Sequence, residues 1–269
     1  MTERTHTLVS GTAPLLISIP HLGRHLPARI AGSFTPIARE VADTDWHLDR
    51  LYGFATALGA SVLGAEVSRY AIDLNRPPGG ESLYPGQTTT GLCPTETFRG
   101  EPLYADGAPP DADELARRLQ DYWQPYHQAL QAELERLHQV HRHVLLWEAH
   151  SICSVLPRLF EGKLPDLNFG TNDGKSCDPD LLDTVLADDV PGFTQVVNGR
   201  FKGGYITRRY GQPEAGTHAI QLEMCQSCYM DETSPFGYRP DRAEKVQPAL
   251  QTMLRNGLTW LERKNAGAA

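Results

Sequence analysis

Apolar residues along this chain fall into short runs that stop abruptly on charged or polar groups. The clearest is Val144-Leu145-Leu146-Trp147-Glu148-Ala149-His150-Ser151, too short for a helix and shaped like a buried strand. Residues 14–20 predict a first strand that delivers His21 and Gly23 into a loop, and residues 61–67 a second. Residues 195–197 form a further candidate, and residues 217–224 read as a strand with Glu223 at its exit. Between these runs the period changes to that of helices. Residues 38–58 place Leu48, Leu51, Tyr52 and Ala55 on one stripe, with Asp43 and Asp45 ahead of it as N-caps. Residues 113–138 carry Leu115, Leu119, Tyr122, Tyr126, Leu130, Leu134 and Leu137 on one face, and Pro125 predicts a kink or break there. Helices are also predicted over 179–187 and 241–261, with a frayed tail from Asn265. Residues 85–110 and 157–173 read as loops, the first long enough to suspect function. Residues 200–211 are basic and punctuated by glycine. No internal repeat or domain boundary stands out, so one domain is expected over 1–269.

Composition narrows the class. Hydrophobic residues at 40% and charged residues at 22% suit a folded enzyme rather than a disordered chain. A net charge of -8 argues against nucleic acid as the main partner, since phosphate binding wants a basic face. No apolar run is long enough to span a bilayer, and the N-terminus lacks a signal-peptide layout, so a cytoplasmic setting without membrane is expected. Five cysteines, odd in number and sparse, fit that setting; Cys225 and Cys228 form a C-x-x-C without a second pair and read as ordinary thiols. The cluster His138, His141, Arg142 and His143 reads as a solvated connection. Oligomeric state is left open.

The chemistry concentrates where strands end, because side chains past the carboxyl ends of strands line the crevice of an open α/β sheet. Strand alternation puts Glu148 and His150 on one side, where a carboxylate can fix an imidazole's tautomer and improve it as a metal ligand. A structural histidine satisfied by a backbone carbonyl is the plain alternative. His21, His150 and Glu223 all sit at strand exits, and Asp45 at a helix entrance. Two imidazoles and a carboxylate suit Zn²⁺ with one position open to water, and a further carboxylate such as Glu223 can move a proton from that water to a leaving nitrogen. Arg69 and Arg76, in the run Ser68-Arg69-Tyr70-Ala71-Ile72-Asp73-Leu74-Asn75-Arg76-Pro77-Pro78, and Arg208 offer planar donors for a substrate carboxylate or an oxyanion.

That run resembles the N-formylglutamate amidohydrolase (deformylase) family, as do Ile19-Pro20-His21-Leu22-Gly23, the segment 43–52 opening Asp43-Thr44-Asp45-Trp46, Trp147-Glu148-Ala149-His150-Ser151, Gly203-Gly204-Tyr205-Ile206-Thr207-Arg208 and Gln221-Leu222-Glu223-Met224. The match runs in order from about residue 14 to 230. It is also similar, more distantly, to aspartoacylase and other zinc-carboxypeptidase-like hydrolases. The resemblance implies an α/β fold with a mixed, mostly parallel sheet flanked by helices. It further implies a metal-dependent hydrolase that cleaves N-formyl-L-glutamate to formate and L-glutamate in histidine degradation. By position His21 and His150 would be metal ligands and Glu223 the general base. Arg24 stands where the relatives carry a ligand carboxylate, so Asp45 is expected to replace it, with Asp49 as a substitute. Glu148 stands where the family usually has aspartate. Arg69 would stabilise the oxyanion, and Asn75, Arg76, Tyr205 and Arg208 would hold the substrate. Two rival expectations are a metal-dependent deacylase for another N-acyl acidic amino acid and a non-catalytic binder of acidic metabolites. A redox role for Cys225 and Cys228 would need a thiol of low pKa.

Overall fold

Strongly apolar runs fill the centre of a seven-stranded sheet. The computed structural model describes residues 4–83, 86, 88–105, 107 and 109–267. Its strands are β1 (His6–Val9), β2 (Leu15–Ile19), β3 (Ser61–Ala65), β4 (Val144–Ile152), β5 (Leu167–Gly170), β6 (Gln195–Val197) and β7 (Thr217–Cys225), in the order β1-β3-β2-β4-β7-β5-β6. β3, β2, β4 and β7 are parallel neighbours, while β1 on β3 and β5 on β7 are antiparallel, so the sheet is mixed and mostly parallel, as expected. Every residue of β2, β4 and β7 is buried, which is why these strands read as near-continuous apolar runs.

The helices are α1 (Ala28–Ala31), α2 (Leu48–Leu51), α3 (Ala112–Arg118), α4 (Gln124–His138), α5 (Pro179–Val185), α6 (Tyr205–Tyr210) and α7 (Pro240–Ala266). Alternate strand residues feed two cores. Leu15, Ile17, Leu145 and Trp147 pack with Leu181 of α5 and Val246, Leu250 and Leu254 of α7. Leu16 and Leu146 pack on the other face with Tyr126, Leu130 and Leu134 of α4. Glu148 and His150 share the alternation of Leu146, so the polar end of β4 emerges on the α4 face.

Several boundaries depart from the sequence reading. Residues 38–58 are not one helix: they split into 3₁₀ turns at Ile37–Glu40 and Ala55–Leu58 around the single turn of α2. Val41 and His47 take left-handed φ angles of 45° and 61°, and the chain unwinds between them. Asp45 therefore caps nothing; α2 starts after His47 with no side-chain cap. The interruption forecast at Pro125 takes the form of a π-helical turn, Leu119–Trp123, between α3 and α4. Pro125 has no N–H for the carbonyl four residues back, and the wider turn absorbs that loss. α7 runs on to Ala266 rather than stopping near 261, and residues 268–269 of the predicted frayed tail lie outside the described residues, as do 85, 87, 106 and 108 of the long loop. β1, β5 and α6 were not anticipated; each has six residues or fewer, too short for a period to show.

Candidate active site

The carboxyl ends of β2, β4 and β7 meet at one edge of the sheet. β2 hands over to His21, whose backbone carbonyl accepts from Asp45 N–H at 2.9 Å and so draws the unwound 41–47 segment to the strand end. β4 carries His150 and β7 carries Glu223, and these two residues are direct partners in the parallel ladder. His21, Asp45 and His150 are all buried, and each offers a ligand atom lying within 4.8 Å of the others. Asp45 Oδ2 lies 3.1 Å from His150 Nδ1 and 3.7 Å from His21 Nδ1. Asp45 Oδ1 is buried without a hydrogen-bond partner, a state that ordinarily costs about 1–3 kcal/mol, more for a charged group, and that a cation would relieve.

Both imidazoles turn their other nitrogen to a carboxylate. His21 Nε2 is 2.7 Å from Asp73 Oδ1, and His150 Nε2 is 2.7 Å from Glu148 Oε1. A carboxylate that holds the N–H on one nitrogen lets the opposite nitrogen give up its proton to a metal, so the two Nδ1 atoms, both facing Asp45, are the candidate ligand atoms. Burial works against charge here, yet Glu148 and Asp45 outweigh it and raise His150 to about 10. Likewise burial would lift Asp45, but the two imidazoles bring it down to about 2. Four carboxylates (Asp45, Asp73, Glu148, Glu223) thus surround two imidazoles and Arg69. This negative field, with a His₂-carboxylate donor set and an orphaned Asp45 oxygen, fits a divalent metal ion.

Glu223 lines the same space, and among the described residues no ion pair ties it to a basic partner. Burial pushes its carboxyl up, with Asp45 and Glu148 adding and His150 and Arg69 opposing, to about 7. Arg69 donates to Asp73 Oδ2 at 2.6 Å and lies 4.7 Å from the Phe98 ring centroid. Burial alone would also raise Asp73, but Arg69, His21 and Arg76 hold it well below the usual carboxylate range. The cavity above these groups has a volume of about 70 Å³, tight beside the roughly 300–1,000 Å³ of drug-sized ligand sites. Arg69, Asn75, Arg76, His150 and Glu223 all line it, together with Gln221, Arg200 and Thr88 to Thr90. Arg76 donates to the Thr90 carbonyl at 2.9 Å, and Arg200 to the Thr88 carbonyl at 3.0 Å.

Of the residues picked from sequence, His21, Asp45, Arg69, Asn75, Arg76, His150 and Glu223 converge. Arg208 and Tyr205 do not line the cavity: Arg208 Nε donates to the Gly203 carbonyl, and Tyr205 packs against Trp123 and His127. Asp49 is exposed in a separate surface cleft with Arg24 and Glu66, leaving Asp45 as the carboxylate beside the histidines. Asp73 and Arg200 also stand at this site, and the sequence reading gave neither a role. Asp73 lies four residues after Arg69, the one signal that could have flagged it. Arg200 sits in a stretch without periodicity. Cys225 and Cys228 are buried free thiols, and burial raises both, Cys228 to about 12, away from the thiolate that redox exchange needs. His138 and His143 are tied to Thr217 and His218 rather than solvated.

The Gly203-Gly204 pair has a steric reason. Gly203 has φ +103°, and a Cβ on Gly204 would come within 2.2 Å of the Asn75 amide nitrogen. Gly204→Ala is expected to displace Asn75 and cost about 1–3 kcal/mol of stability. Urea unfolding of the variant measures this; an unchanged midpoint would refute the steric role.

The N-formylglutamate amidohydrolase family profile matches residues 13–230. N-formylglutamate deformylases of Pseudomonas putida and Pseudomonas aeruginosa are each 50% identical to the chain, over 93% of it and 94% of their own length. Among solved structures, N-formylglutamate amidohydrolase from Ralstonia eutropha superposes with a TM-score of 0.80 at 26% identity, covering 97% of this chain and 99% of that one. The Agrobacterium tumefaciens gene product Atu2144 shares the fold, with a TM-score of 0.75 at 15% identity over 97% of both chains. With its buried His-Asp-His cluster at the sheet edge and this likeness along nearly its whole length, the chain belongs to the N-formylglutamate amidohydrolase family.

Proposed function

We propose that the chain hydrolyses N-formyl-L-glutamate to formate and L-glutamate, with His21, Asp45 and His150 holding a divalent metal, Zn²⁺ by the donor set. The observation that carries this reading is the cluster of those three side chains beside a cavity that Glu223 and three arginines line. When bound, the ion would act as a Lewis acid on the formyl oxygen and make water a better nucleophile. Glu223, whose carboxyl lies near neutrality, takes a proton from the attacking water and returns it to the leaving amine. Arg69, held in place by Asp73 and Phe98, stabilises the developing oxyanion. Arg76 and Arg200, rather than Arg208, grip the glutamate carboxylates, exchanging the loop carbonyls of Thr90 and Thr88 for substrate oxygens.

The reaction would serve histidine degradation in the cytoplasm, a setting with which five free thiols agree. Among the described residues no helix is long and apolar enough to cross a membrane. Release of the free amino acid assayed on N-formyl-L-glutamate, N-acetyl-L-glutamate and N-formyl-L-aspartate, alongside metal analysis, tests the reading. N-formyl-L-glutamate is expected to be turned over fastest, with one metal per chain. Faster cleavage of the acetyl compound would identify a different deacylase.

A further inference from the structure

α6 touches neither the cavity lining through its side chains nor the three candidate ligands, yet its first turn governs the surroundings of His150. The helix opens after Gly204, and its leading N–H groups have no partners within so short a helix. They go to the active site instead. Ile206 N–H donates to Asn75 Oδ1 at 2.8 Å, and Thr207 N–H donates to Glu148 Oε2 at 3.0 Å. The Thr207 hydroxyl donates to that same Glu148 oxygen.

These bonds create a choice at His150. Its Nε2 has two neighbours with opposite demands: Glu148 Oε1 at 2.7 Å requires an N–H there, whereas the Asn75 amide nitrogen at 3.0 Å requires a lone pair. Asn75 cannot turn over to resolve this, because its oxygen is fixed by Ile206 N–H. While Glu148 stays in place it holds Nε2–H and fixes the ring with Nδ1 facing Asp45. If Glu148 swings away the ring loses that anchor, and the Asn75 amide nitrogen, which cannot accept an N–H, is no substitute. A glutamate arm has more rotational freedom than an aspartate would, so it needs an anchor. Thr207 supplies two donors to the oxygen that does not touch the histidine.

We infer that Thr207 is a positioning residue which, by pinning Glu148, holds the His150 ring with Nδ1 facing the candidate metal position. The inference rests on the reading that His21, Asp45 and His150 hold a divalent metal. The experiment is competition for Zn²⁺ between the full-length protein and a chromogenic chelator, made on the parent, Thr207→Val, Thr207→Ser, Glu148→Gln and the Thr207→Val/Glu148→Gln double variant. Thr207→Val keeps the shape and removes the hydroxyl, and is expected to weaken Zn²⁺ binding about 10–100-fold. Thr207→Ser restores the donor and should bind nearly as tightly as the parent. In the Glu148→Gln background Thr207→Val should add no comparable further loss, because the two act through one bond. Urea midpoints of the metal-free proteins separate loss of affinity from loss of folding, and Thr207→Ala replaces the valine variant if that one is unfolded. Parent-like affinity in Thr207→Val, equal weakness in Thr207→Ser, or fully additive losses in the double variant would each overturn the role of Thr207 while leaving the metal site intact. A parent that takes up no Zn²⁺ would overturn the metal reading and this inference with it.

Discussion

Glu223→Gln is expected to keep its metal and to lose about 10²–10⁴-fold in the rate of formate release. Glutamine preserves the length of the side chain and its place opposite His150 in the ladder, so the cavity keeps its shape. What disappears is a group that can accept and return a proton. Glu223 is suited to that task because burial lifts its carboxyl to about 7, close to the pH at which it would work. It is also absent from the cluster of three side chains that could share an ion. Metal content by atomic absorption and kcat on N-formyl-L-glutamate, measured on the same preparation, check both halves. Near-parent turnover in the variant would remove Glu223 from the mechanism.

His150→Ala should fail in the other way, losing metal and turnover together. Its Nδ1 is one of three buried ligand atoms, and its ring also occupies Glu148 and stands 4.8 Å from the His21 ring. Truncation leaves Glu148 buried without its basic partner, a defect worth about 3–5 kcal/mol when a buried pair is broken. The variant is therefore expected to melt lower than the parent as well as to bind metal poorly. Asp45→Asn should also lose metal, whereas Asp49→Asn, altering an exposed group in another cleft, should not. Stoichiometric metal retained by Asp45→Asn would require a different ligand set.

What the sequence disclosed follows from the range of the forces involved. β2, β4 and β7 were legible because strands buried on both faces must be apolar throughout, and their polar ends stood out against that background. His21, His150 and Glu223 were found for this reason. Asp45 was located, but as part of a helix that does not exist: the stripe of Leu48, Leu51 and Tyr52 is real core, while the backbone around Asp45 answers to His21 instead. Sequence pointed to Arg208, whereas it is Arg200 that lines the cavity; both lie in a segment whose course is set by glycines and by contacts to residues 75, 148 and 221, far away in sequence. No local period encodes such contacts. Asp73 stood in the polar run from Ser68 but without a role of its own, because its place needs three-dimensional knowledge: it stands beneath His21 and Arg69 at once.

The nine-residue parallel ladder between β4 and β7 has a consequence for how such a protein can change over time. Side chains in a strand alternate faces, so displacing one strand by a single residue would turn Glu223 into the opposite core and Leu222 toward the imidazoles. The spacing between proton carrier and ligand is thus inherited from the packing of Leu222, Met224, Trp147 and Ala149 on the far side. Inserting or deleting one residue within either strand would abolish the chemistry even if the chain still folded, whereas the loops that carry Thr88 and Arg200 can vary and retune what the cavity accepts.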